Sequence, residues 1–85
     1  MNKDELIARL TPIVATYAQN KEALETINED TDFINDLKIN SANLVDVILD
    51  IEEAFDIEID NTSMEQMLNV KAAIEVIERK LNDRH

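Results

Sequence analysis

Only one stretch of this chain reads as a strand. In Phe55-Asp56-Ile57-Glu58-Ile59 the apolar residues fall at every second position, which tucks Ile57 and Ile59 toward a core in a brief extended segment. A strand with no second run to pair with cannot build a sheet. The core must therefore come from helices, and elsewhere the apolar residues recur at helical spacing.

Leu6, Ile7, Leu10, Ile13, Val14 and Tyr17 form the first stripe, with Asp4 and Glu5 in its opening turn. Pro12 interrupts it, and an interior proline costs a helix about 3 kcal/mol. Because the stripe keeps its phase across Pro12, we expect one helix with a local kink. A second helix is read from Val45, Ile48, Ile51 and Phe55, widened by Val47, and its N-cap falls at Ser41. Asp60-Asn61-Thr62-Ser63 offers cap residues for a short helix, Met64 to Leu68. Asn69 caps the last, from Val70 to about Leu81, with Val70, Ala73, Ile74, Ile77 and Leu81 inside. Between the first two helices, Gln19 to Asn40 is a long polar connection anchored by Leu24, Ile27, Phe33, Ile34 and Leu37, with a helical turn near Lys21 to Thr26. The expectation is an all-α fold, a small four-helix bundle of three longer helices and one short one, in a single domain over residues 1–85.

Charge narrows the function. Between Lys38 and Lys71 there is no Lys or Arg, while Asp46, Asp50, Glu52, Glu53, Asp56, Glu58, Asp60 and Glu65 are all acidic. Stability alone would favour interspersed cations, so this surface is expected to meet basic protein partners. A net charge of −11 repels nucleic acid and anionic membrane alike. The chain has no cysteine, hence no disulfide, and its first residues lead straight into an amphipathic pattern without a signal segment. These features suit a cytoplasmic protein that does not insert into membranes.

Two chemistries fail on inspection. The acidic run Asn28-Glu29-Asp30-Thr31-Asp32 lacks the glycine and closing glutamate of a calcium loop, and no metal site is expected. A catalytic serine at Ser41 would need a base in reach, but the only histidine is His85, and there is no glycine for a nucleophile elbow. Ser41 instead lies where a helix dipole would favour an attached phosphate.

The run Asp36-Leu37-Lys38-Ile39-Asn40-Ser41, then Val45-Asp46, Glu52-Glu53-Ala54-Phe55-Asp56-Ile57-Glu58-Ile59 and Val70-Lys71-Ala72-Ala73-Ile74, resembles the acyl carrier protein family over about Phe33 to Leu81. The resemblance implies that Ser41 carries 4′-phosphopantetheine, donated from coenzyme A, with an acyl group held as a thioester on the arm. It implies no catalysis by the chain itself, whose partners would be a phosphopantetheinyl transferase and acyl-handling enzymes with basic patches. The recognition face would comprise Asn40, Ala42, Asp46, Leu49, Asp50, Glu52 and Glu53. A bound acyl chain would be lined by Ile48, Ile51, Met67, Leu68, Ala73 and Ile77. The departures are Asn40-Ser41-Ala42 where the family usually has Asp-Ser-Leu, and Asn43 where a second Asp is common; they point to a specialised carrier, and a monomer is expected. Fatty acid or related acyl biosynthesis is the expected setting, with an aminoacyl or polyketide carrier, or an unmodified acidic docking subunit, as alternatives.

Overall fold

A computed structural model describes residues 2–83. Its order is α1 (Lys3–Ala15), a 3₁₀ turn Glu22–Thr26, a second 3₁₀ turn Ser41–Asn43 running into α2 (Leu44–Phe55), a short α3 (Asn61–Gln66) and α4 (Val70–Asn82). The described residues contain no strand, only one isolated antiparallel bridge between Asp32 and Asn69.

Helix α1 runs unbroken through Pro12. Proline removes the N–H that Ala8 would have used, and one residue earlier the Thr11 hydroxyl donates to the Ile7 carbonyl at 2.7 Å. The stripe holds its phase: Leu6, Leu10 and Val14 are fully buried, with Ile7, Ile13 and Tyr17 packed at its edges. Asn2, which the sequence reading passed over, caps α1 by accepting the Glu5 N–H at 2.8 Å.

Helix α2 buries Val47, Ile48, Ile51 and Phe55, with Leu44 partly covered. Val45, expected on that inner face, is instead 49% exposed. Once Leu44, Val47, Ile48 and Ile51 fix the inward stripe at i, i+3, i+4 and i+7, Val45 is turned about 100° away from its leading edge.

Helix α3 starts three residues earlier than expected and ends before Met67, because Asp60 is its cap and accepts the Ser63 N–H at 3.2 Å. Asn69 caps α4 as expected, accepting from Ala72 at 2.8 Å. Its buried face includes Val76 besides Val70, Ala73, Ile74 and Ile77, while Leu81 is only partly covered.

The long connection is a structural element in its own right. Phe33, Leu37 and Ile39 are at most 1% exposed and sit in the same core as the helices. Its backbone is pinned on two sides: the N–H groups of Gln19 and Asn20 donate to the Leu37 carbonyl, and Phe33 N–H donates to Leu68, Val70 N–H to Thr31 and Lys71 N–H to Glu29. The acidic run is absorbed locally. Asn28 accepts from the Asp30 N–H at 2.8 Å, and buried Thr31 accepts from the Asn28 N–H at 2.9 Å.

Candidate functional site

Ser41 owes its place to the nine residues before it. Asp32 accepts the N–H groups of Ile34 and Asn35 at 2.9 and 2.8 Å, while the Asp36 carboxylate reaches back to the Asp32 N–H at 2.7 Å. This reciprocal pair locks a turn whose next residues, Leu37 and Ile39, both point into the core. Lys38 between them has φ 58°, in the left-handed region that costs a non-glycine residue about 1 kcal/mol or more. The reversal at Lys38 then delivers Asn40, Ser41 and Ala42 to the surface, where all three are exposed.

The cap differs from the sequence expectation. Asn40, not Ser41, is extended at φ −62°, ψ 134°, and its side chain accepts the Ala42 N–H at 2.9 Å. Its carbonyl also accepts the Asn43 N–H at 2.8 Å. An amide can reach the N–H two residues on in a tight turn, so Asn40 takes the capping role and Ser41 becomes the first residue of the turn. Its hydroxyl is left out of the cap.

The expected recognition residues divide. Ala42, Asp46, Leu49 and Glu53, spaced 4, 3 and 4 apart, lie exposed along one side of α2, with Leu49 55% accessible and Val45 joining them. Asp50 and Glu52 are half-buried and engaged inside the molecule. Asp50 accepts from the Tyr17 hydroxyl at 2.7 Å, and Glu52 accepts the Ile59 N–H at 2.7 Å. The hydrogen bond to Asp50 raises the Tyr17 phenol above its ordinary 10.0; partial burial and the charges of Asp50 and Asp46 act in the same direction.

Of the residues expected to line an acyl chain, Ile48, Ile51, Met67, Ala73 and Ile77 are buried together in the core, but Leu68 is 47% exposed. Met67 takes the inward position at the end of α3, and the adjacent Leu68 turns outward while its carbonyl binds the Phe33 N–H. The three surface hollows described are lined by other residues. Among the described residues no cluster of three His, Cys, Asp or Glu side chains could hold a metal, and no helix is long and apolar enough to cross a membrane. His85, considered as a base for Ser41, lies outside the described residues.

A phosphate-linked arm fits this site. Ser41 offers an exposed hydroxyl at the positive end of the Ser41–Phe55 helical run, and its neighbours Asn40, Ala42 and Asn43 carry no charge to repel a phosphodiester. Asn40 already holds the Ala42 and Asn43 N–H groups. The attraction therefore comes from the dipole and the lack of nearby carboxylates more than from open donors.

Comparison with known proteins agrees with that fit. A family model described as "Phosphopantetheine attachment site" matches residues 6–77, and an "Acyl carrier protein" of Desulforapulum autotrophicum is 37% identical over 73 residues, covering 86% of this chain and 94% of the relative. The chain belongs to the acyl carrier protein family. A second acyl carrier protein, from Guillardia theta, is 31% identical over 81 residues, 95% of this chain and 98% of its own. The mitochondrial acyl carrier protein of Neurospora crassa is 32% identical over 77 residues, 91% of this chain but 57% of that longer relative. The family's cofactor is phosphopantetheine, and its members are carriers and not catalysts. The match begins at residue 6, so it takes in most of α1 and the part of the connection before Phe33, ahead of the stretch that carries the sequence resemblance.

Proposed function

We propose that Ser41 is the attachment residue, and that the chain carries acyl intermediates between enzymes of fatty acid or related specialised acyl biosynthesis. One observation carries this reading: the Ser41 hydroxyl is exposed at the start of α2 and relieved of capping by Asn40. When bound, phosphopantetheine supplies the thiol on which the acyl group rides as a thioester, chemistry that a chain without cysteine cannot supply itself. The protein's own part is to present the hydroxyl, keep carboxylates off its flanks and offer the exposed side of α2, Ala42, Asp46, Leu49 and Glu53, to basic partners. Those partners are a phosphopantetheinyl transferase and acyl-handling enzymes. Ile48, Ile51, Met67, Ala73 and Ile77 are the candidate acyl lining, with Leu68 omitted for its exposure.

The test is intact mass after incubation with coenzyme A and a broad-specificity transferase. One added phosphopantetheine is expected, and none with Ser41→Ala. Failure of the unsubstituted chain to load would leave an acidic docking subunit. Loading from a panel of coenzyme A thioesters, acyl against aminoacyl, would then resolve the cargo.

A further inference from the structure

We propose that the ammonium of Lys38 pairs with the phosphodiester joining the arm to Ser41, an inference that rests on Ser41 being the attachment residue. A phosphate there finds the backbone already occupied. The Ala42 N–H is held by the Asn40 side chain, that of Asn43 by the Asn40 carbonyl and that of Leu44 by the Ser41 carbonyl. With the three following amides spent inside the turn, an anion with strong acceptor oxygens must take a charged donor from a side chain.

Lys38 is placed to supply it. It is the one Lys or Arg between Lys21 and Lys71 in the sequence. Lys38 and Asn40 are exposed on either side of buried Ile39, so the lysine opens on the same surface as Ser41. Even fully extended, the three steps from Lys38 to Ser41 span about 11 Å. The four-carbon stem of the lysine and the phosphodiester on the serine oxygen shorten that gap from opposite sides.

The ammonium is also uncommitted. Among the described residues no ion pair engages it: Lys3 is matched with Glu29 and Lys80 with Asp60. The Asp36 carboxylate, two residues before it, turns back to the Asp32 N–H at 2.7 Å. The first carboxylate after Ser41 is Asp46, more than one helical turn on. The backbone makes the choice of lysine informative. At φ 58° a glycine would be free of strain and an asparagine or aspartate the next best fit. Glycine would offer the phosphate nothing, and aspartate would repel it. Loading adds negative charge to a chain already at −11, and Lys38 offsets it where it arises.

The test is a cycle. Urea unfolding of the full chain at low salt is compared before and after loading with coenzyme A and a broad-specificity transferase, run to completion by intact mass. The factor by which loading changes the folding equilibrium should be about threefold less favourable in Lys38→Gln than in the unsubstituted protein, and Lys38→Arg should restore it. Glutamine keeps the left-handed cost of a Cβ, and an effect on the turn itself is common to both states and cancels. Lys3→Gln makes the same change in net charge at a lysine already paired, and should alter the factor less than about 1.5-fold. A second measurement needs no variant: the ε-methylene signals of Lys38 should move on loading, more than those of Lys3, and return at about 1 M salt. Unmoved Lys38 signals, equal effects of Lys3→Gln and Lys38→Gln, or no recovery with Lys38→Arg would overturn the pair. An unsubstituted chain that does not load removes the carrier reading and the pair with it, whereas loading without a Lys38-specific effect removes the pair alone.

Discussion

The two ends of α2 use polar side chains in opposite ways. At the start, one neutral amide, Asn40, holds the N–H of Ala42 and its carbonyl holds that of Asn43, so the neighbouring hydroxyl stays uncommitted. At the finish, charged groups are drawn into the fold: Glu52 binds the Ile59 N–H, Asp56 terminates the helix at φ 55°, and Arg9 donates to Ala54 over the Phe55 ring. One end is built to leave a group free and the other to spend its charges on closure. The lesson concerns the acidic surface. A run of carboxylates on one helix is not a uniform docking face, because burial of their hydrogen bonds sorts them into structural and available sets.

The sharpest way to break this contrast is to compare neighbours. Glu52→Ala leaves the half-buried Ile59 N–H without its charged acceptor, and such a bond is worth about 2 kcal/mol. Glu53→Gln on the exposed side should stay within about 0.5 kcal/mol of the unsubstituted protein. Urea unfolding curves measure both. Equal effects would show that Glu52 is as free as Glu53 and that the division is false.

At the other end the contrast lies between Asn40 and Ser41. Asn40→Ala removes the cap and should cost about 1 kcal/mol. Ser41→Ala should leave stability within about 0.5 kcal/mol while abolishing loading. If the serine substitution proved the more destabilising of the two in urea, Ser41 would be the cap after all and its hydroxyl would not be available.

The difference between those two residues also marks where the sequence stopped being readable. The three long helices were legible because each has a long apolar stripe, and position 41 was legible as the head of one. The choice between Asn40 and Ser41 as cap was not, since both residue types cap well and the outcome depends on the backbone delivered by Lys38. That delivery is non-local: Leu37 and Ile39 are held inward by Asn20, Gln19 and Phe33, contacts that periodicity does not encode. Asp50 and Glu52 were placed on the recognition face for the same reason. Their charge is visible in the sequence, whereas Tyr17 and the Ile59 N–H, which engage them, lie 33 and 7 residues away. Val45 and Leu68 were misplaced by taking apolar character as proof of burial.

Lys38 itself gives a smaller test with the opposite sign. With no glycine anywhere in the chain, the left-handed turn before the site is made by a lysine at φ 58°. Lys38→Gly relieves the contact of Cβ with the backbone but loosens the unfolded chain, for a net gain of about 0.5 kcal/mol in unfolding free energy. A loss would mean that the side chain of Lys38 holds the turn by a contact stronger than the strain it imposes.

The smallest effect belongs to the closing side, where the chain leaves Ile57–Ile59 and enters α3. Asp60 caps that helix, and its carboxyl is held below the ordinary 3.8, chiefly by the Ser63 hydroxyl, then by the Ser63 N–H and Lys80, against a partial desolvation that pushes the other way. Because the folded value is the lower one, the unfolded chain takes up a proton first as pH falls. The stabilisation is thus complete above the ordinary value and is lost as pH drops through the folded one. Asp60→Asn keeps a capping acceptor but removes the titration, so the fall in urea midpoint below about pH 4 should be shallower than in the unsubstituted protein. An unchanged acid limb would mean that the carboxylate is as free in the fold as in the unfolded chain, and that Asp60 belongs with Glu53 in the available set.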